Sequence, residues 1–176
     1  SVQSLLQAVI TEDPSNITLG DGIAAGFGET DADGDLEWGA LVQALVDWVR
    51  DNVAYVSGSS TVTTTAADTF VAQQGVCRDF AHLTAALIRS RDIPARLVSV
   101  YALDLDPPDF HAVAEVFLKG PGSDAGGTWQ LVDATGMGTA EDIVKIGVGR
   151  DAADVSFLTS FGPNDFRSSS VSVKKE

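Results

Sequence analysis

The chain is poor in the residues that build several common kinds of site. Among 176 residues there is one cysteine, Cys77, and there are two histidines, His82 and His111. A single cysteine forms no intramolecular disulfide and supports no Cys-rich zinc centre. Two histidines leave little for an imidazole-based metal site. Positive charge is also scarce: 11 Lys and Arg stand against 25 Asp and Glu, a net charge of −14. Nucleic-acid binding needs clustered Lys and Arg, so neither DNA nor RNA is an expected partner. The same balance disfavours an anionic membrane surface. No apolar run approaches the roughly 20 residues that span a bilayer. No secretory signal opens the chain, which points to the cytoplasm. It begins at Ser1 rather than Met, so it reads as trimmed or cut from a longer protein.

What is present is the composition of an ordered domain. Hydrophobic residues make up 44% and charged residues 20%, enough for a real core. One domain is expected over residues 1–176: a loop-rich lead-in over 1–36, a core over 37–136, and a C-terminal helix and strands over 137–176. There is no internal repeat. Asp31, Asp33 and Asp35 superficially suggest a calcium loop, but Gly34 comes too early and the twelfth position is Val42, not Glu. A solvated acidic loop before a helix is the better reading.

Leu41, Leu45, Trp48 and Val49 recur at helical spacing between Glu37 and Asn52. A short extended piece is expected over 53–56. Thr65 with Asp68 three residues later is a capping-box pattern for a second helix that ends at Gly75. A third helix starts at Cys77; Phe80, Leu83, Leu87 and Ile88 form its apolar face, and Pro94 closes it. Beyond Pro94 the period changes to two. Strands are expected over 95–103, 111–118 and 128–134, with a glycine-rich hairpin loop over 119–127. A short helix is expected over 139–146, then strands over 155–161 and 169–173. Helices first and strands later indicate an α+β fold, a helix laid on a mostly antiparallel sheet.

Cys77 opens a helix, where backbone N–H groups and the helix dipole favour a thiolate, the nucleophilic form of a thiol. By position alone, a nucleophile and an inert buried cysteine are equally good readings. His111 and Asp133 shift that balance. A hairpin turn centred near Gly122 places His111 directly opposite Asp133 on neighbouring strands, with Cβ atoms about 4.5–5.5 Å apart. A carboxylate there holds one imidazole nitrogen and leaves the other to face a thiol. Taken alone, Asp133 would read as a cap on the turn at Thr135-Gly136.

Four segments in order carry a resemblance: Gly75-Val76-Cys77-Arg78-Asp79-Phe80-Ala81-His82-Leu83, Ile93-Pro94-Ala95-Arg96, His111-Ala112-Val113-Ala114-Glu115-Val116, and Trp129 to Asp133-Ala134-Thr135. Over about 37–136 the chain resembles the transglutaminase-like cysteine enzymes of bacteria. The resemblance implies a papain-like α+β core with Cys77 as nucleophile, His111 as general base and acid, and Asp133 as orienter. It departs from many relatives at Val113, often aromatic, and at Ala134, often Pro. The implied activity is a cysteine-dependent amide hydrolase, a peptidase or amidase acting on a peptide or protein through a thioester. The alternatives are acyl transfer from glutamine to an amine, and a non-catalytic scaffold or binding domain. No cofactor and no metal is expected; the calcium dependence of some animal transglutaminases finds no matching loop. The oligomeric state is open.

For the oxyanion, the Cys77 N–H is the natural first donor and Tyr55 the preferred second, placed where some relatives carry an aromatic donor. Gln73 and Gln74 are alternatives by analogy with papain-like enzymes. His82 lies some 140° around the helix from Cys77, which argues against a second base. Arg78 and Asp79 are expected to serve the first helical turn. Asp104, Asp106 and Asp109 read as a solvated loop; the sharper alternative is that they raise the His111 pKa and draw cationic substrates.

Overall fold

The computed structural model describes residues 38–103, 105–118 and 127–175. The acidic triplet at Asp31–Asp35, residue Asp104 and most of the expected hairpin loop lie outside them. Helix α1 (Trp38–Asn52) is followed by a two-residue strand β1 (Ala54–Tyr55), helix α2 (Ala66–Ala72), strand β2 (Gln74–Gly75) and helix α3 (Cys77–Arg89). Strands β3 (Ala95–Ala102), β4 (His111–Leu118), β5 (Thr128–Val132) and β6 (Ile143–Gly149) complete the order. Among the described residues no helix is long and apolar enough to cross a membrane.

The four long strands form one antiparallel sheet in the order β5-β4-β3-β6. α3 packs on one face of it. Its expected apolar stripe is buried throughout, with Phe80 and Leu87 at 3% and 4% exposure and Leu83 and Ile88 at 0%. Leu41, Leu45 and Val49 of α1 join the same core, as do Leu97, Ala114 and Val116 from the sheet. The other face carries a smaller cluster of Val98, Val100 and Val113. Beside it Glu115, 1% exposed, pairs with Arg96 at 2.7 Å and with Lys145, and Arg96 stacks over Trp129 at 3.9 Å. A buried carboxylate is tolerable only when partnered in this way.

The α2 capping box forms as expected: Thr65 Oγ1 accepts from the Asp68 N–H and Asp68 Oδ2 accepts from the Thr65 N–H. The exit from α2 differs. The chain turns at Gln73, which takes the left-handed conformation at φ 50°, and Gly75 lies in β2, paired parallel with β1. Gly75 is needed for close packing, since a Cβ there would sit 2.6 Å from the Asp79 Cβ.

Two C-terminal expectations are corrected. Only Ala140–Asp142 make a helical turn, of the 3-10 kind, and residues 143–149 are strand β6. The β-branched Ile143, Val144, Ile146 and Val148 and the glycines Gly147 and Gly149 favour a strand over a helix. The expected strands over 155–161 and 169–173 do not form. β6 already occupies the edge beside β3, and the apolar side chains beyond it make ring contacts instead: Phe157 lies 5.4 Å from Phe110 and 5.4 Å from Phe166.

Candidate functional site

The site lies where the N-terminus of α3 meets one end of the sheet. Cys77 is the first residue of α3 and is half-buried. Its turn is locked by Asp79, whose Oδ2 accepts the Val76 N–H at 2.9 Å. Asp79 Oδ1 accepts from Arg78, which also donates to Ser60 Oγ and to the Thr61 carbonyl. Arg78 and Asp79 therefore serve the helix start, as expected, and tie it to the loop after β1.

His111 begins β4 and is 1% exposed. Its Nε2 lies 2.9 Å from Asp133 Oδ2. The Cys77 side chain also acts on the imidazole and raises its pKa. With Nε2 turned to Asp133, Nδ1 is the nitrogen left for the thiol. Burial by itself would push the imidazole pKa down. The hydrogen bond to Asp133 and the Cys77 side chain, with the charges of both, outweigh it and raise the pKa to about 9. For Asp133, burial pushes the carboxyl up, but its bonds to His111 and Thr135 hold it below the usual range. The pair is an imidazolium beside a carboxylate at neutral pH.

The His–Asp contact is reached by a register other than the expected one. β5 pairs Val132 with Ala114, two residues from the register that would set Asp133 opposite His111. A shift of two preserves the face. Asp133 lies one step past the end of the ladder and reaches His111 diagonally.

Tyr55 ends β1 beside Cys77, whose main chain and side chain both act on its phenol. Burial raises its pKa first, and the Cys77 charge adds to that. β1 holds it there through pairing with β2, the segment just before Cys77. Gln73 and Gln74 are exposed, Gln73 as the turn residue after α2 and Gln74 in β2. His82 is half-buried; burial lowers its pKa, and the charged groups acting on it are Asp151, Arg89, Asp79 and Arg78. Asp106 and Asp109 are exposed. Asp109 acts electrostatically on Tyr55, while the charges that raise the His111 pKa are those of Asp133 and Cys77.

One contact here is the turn cap that Asp133 alone suggested at Thr135-Gly136, and a second was not anticipated. The Asp133 carboxylate is wrapped by its own turn: Oδ1 accepts the Thr135 N–H at 2.9 Å and the Thr135 hydroxyl at 2.7 Å, and Oδ2 accepts the Gly138 N–H at 3.0 Å. Asp-x-Thr is a readable turn signal. From α1, Arg50 donates to the Asp133 carbonyl at 3.2 Å, a contact across 83 positions that no local pattern announces.

The chain was compared with known proteins. A candidate cysteine protease from Cytophaga hutchinsonii, solved by crystallography, superposes with a TM-score of 0.63 at 36% identity, covering 82% of this chain and 53% of that one. An uncharacterized protein of Mycobacterium leprae is 34% identical over 122 residues, 66% of this chain and 42% of that protein. One of Mycobacterium bovis is 32% identical over 126 residues, 65% of this chain and 39% of that protein. The chain thus spans about two fifths of the length of these mycobacterial relatives. The model of the transglutaminase-like superfamily matches residues 28–134, which take in α1 to β5 and the Cys77, His111 and Asp133 cluster. With more than half of the chain matched, it belongs to the transglutaminase-like superfamily.

Proposed function

We propose that this chain is a cysteine-dependent amide hydrolase, a peptidase or amidase with Cys77, His111 and Asp133 as its triad. The observation that carries this reading is the arrangement of the three side chains: His111 is bonded to Asp133 at 2.9 Å, and Cys77, at the start of α3, acts on the same ring. The Cys77 sulfur attacks the amide carbonyl, and the carbonyl electron pair moves onto oxygen. The Cys77 N–H and the Tyr55 hydroxyl, adjacent to one another, are the donors for that oxyanion. The intermediate collapses as the C–N bond breaks, and His111 gives its proton to the leaving amine. A thioester remains. The imidazole, now neutral, takes a proton from water as its oxygen adds to the thioester carbonyl. Collapse releases the carboxylic acid and the Cys77 thiolate, and His111 is again protonated. Asp133 keeps the ring oriented and stabilises its positive charge throughout. No step calls on a metal or an organic cofactor.

The substrate class is a peptide or protein, in keeping with the superfamily. Amine transfer to a glutamine-derived acyl group would run through the same thioester and differ only in the acceptor. The test is a screen of peptide and amide substrates with wild type and Cys77→Ala, run with and without a primary amine. Amide cleavage by wild type alone, with no amine incorporated, supports hydrolysis. Amine incorporation replaces it with acyl transfer. Equal rates for wild type and Cys77→Ala would overturn both.

A further inference from the structure

Asp133 is placed by the turn that follows it, not by the sheet. The β4–β5 ladder ends at Ala114 and Val132, so no cross-strand main-chain bond fixes residue 133. A carboxylate on two rotatable bonds has to be aimed by its donors. An ionised carboxylate accepts at about four lone-pair positions. Here four donors fill them: two from Thr135 on Oδ1, and Gly138 N–H and His111 Nε2 on Oδ2.

The Thr135 hydroxyl is itself aimed. It accepts the Met137 N–H at 3.2 Å, which turns its proton toward Asp133 Oδ1 at 2.7 Å. His111 Nε2 is 3.5 Å from the Thr135 hydroxyl oxygen, beyond a good hydrogen bond, so the ring's proton is left to Asp133. Gly136, at φ +71°, lets the chain fold back so that residues 137 and 138 meet residues 135 and 133.

We propose that Thr135 is a positioning residue: its hydroxyl holds Oδ1 of Asp133 so that Oδ2 stays on His111, and so keeps the imidazole turned toward Cys77. The assignment rests on the Cys77–His111–Asp133 reading and adds to it a residue that touches neither substrate nor thiol. The chemistry requires a hydroxyl at this point. A threonine serving only to fill space would be replaced without loss by valine, which matches its shape.

The test compares wild type with Thr135→Val, Thr135→Ala and Thr135→Ser. NMR titration of the His111 ring gives one readout. The rate of Cys77 alkylation by iodoacetamide across pH 5–9 gives a second, and neither needs a known substrate. The Val and Ala variants are expected to bring the His111 midpoint down from about 9 toward its ordinary 6.5. They are also expected to slow alkylation at neutral pH by about tenfold, the scale of a small misalignment. Thr135→Ser restores both. A His111 midpoint unchanged in the folded Val and Ala variants overturns the proposal, as does a failure of Ser to restore it. The outcome separates from that of the hydrolase reading. A wild type that cleaves no amide but shows the Thr135-dependent titration loses the reaction and keeps the positioning role. An active wild type whose variants titrate normally does the reverse.

Discussion

Oδ2 of Asp133 sits 2.9 Å from Nε2 of His111, and both side chains are almost wholly shielded from solvent, at 5% and 2% exposure. A charged pair in that setting is strong because little water competes for it. The buried imidazole is held in its protonated form by Asp133 and Cys77.

Removing the carboxylate isolates this effect. In Asp133→Ala the largest cause raising the His111 pKa is gone, while burial still pushes it down. The His111 midpoint, read by NMR, is expected to fall from about 9 toward the ordinary 6.5. Turnover of any amide substrate should fall on the order of 10³–10⁴-fold, the scale for losing the orienting acid of a triad.

The same pair sets a dependence of stability on pH. His111 has a folded pKa raised from 6.5 to about 9, so the folded state binds the proton more tightly. Its contribution is fully present below pH 6.5 and is lost as pH rises through about 9. It amounts to about 3 kcal/mol. Urea unfolding at pH 6 and pH 9.5 should show this decline in wild type, and His111→Phe should flatten it.

Gly75 makes a steric prediction. A methyl group at that position would meet the Asp79 Cβ at 2.6 Å, so Gly75→Ala must push apart the turn that presents Cys77. Destabilisation by about 1–3 kcal/mol is expected, the cost of overpacking. Thermal unfolding measures it, and Cys77 alkylation should slow in parallel because the Asp79 bond to the Val76 N–H is disturbed.

Tyr55→Phe separates chemistry from folding. The ring keeps its packing on Phe80, at 5.8 Å between centroids, and only the hydroxyl next to Cys77 is removed. The melting temperature should hold, while kcat falls by about 10²–10³ with KM little changed, the signature of a lost oxyanion donor.

Glu115 provides a control four positions along β4 from His111. Arg96→Met leaves its buried carboxylate with Lys145 alone and strips the cation from Trp129. A loss of about 3 kcal/mol is expected in urea unfolding, the scale for breaking a buried pair from one side. The alkylation rate of Cys77 should not change.

The cores of the elements were legible because burial imposes a period. The apolar stripes of α1 and α3 and the alternation in β3 and β4 each place one face in a dry core, and the sequence has to obey. Cys77 was legible because it opens such a stripe. The His111–Asp133 contact survived a register two residues away from expectation, since an even shift keeps the face. What followed β5 was misread. The expected helix runs into 143–149, although the β-branched side chains there favour a strand and the edge of β3 offers a partner. Residues 155–161 add to no strand; Phe157 packs on Phe110 and Phe166 instead. The grip of Arg50 on the Asp133 carbonyl was invisible, since nothing in a local window links a helix to a turn 83 positions on.

The most direct measurement is the rate of Cys77 alkylation by iodoacetamide as a function of pH, in wild type and in His111→Ala. A thiol partnered by the imidazolium reacts near pH 6–7 far faster than a free thiol of pKa about 8.5. The account predicts that wild type behaves in this way and that His111→Ala abolishes the advantage. A wild-type rate that tracks an ordinary free thiol, and is unmoved by the loss of His111, would contradict it.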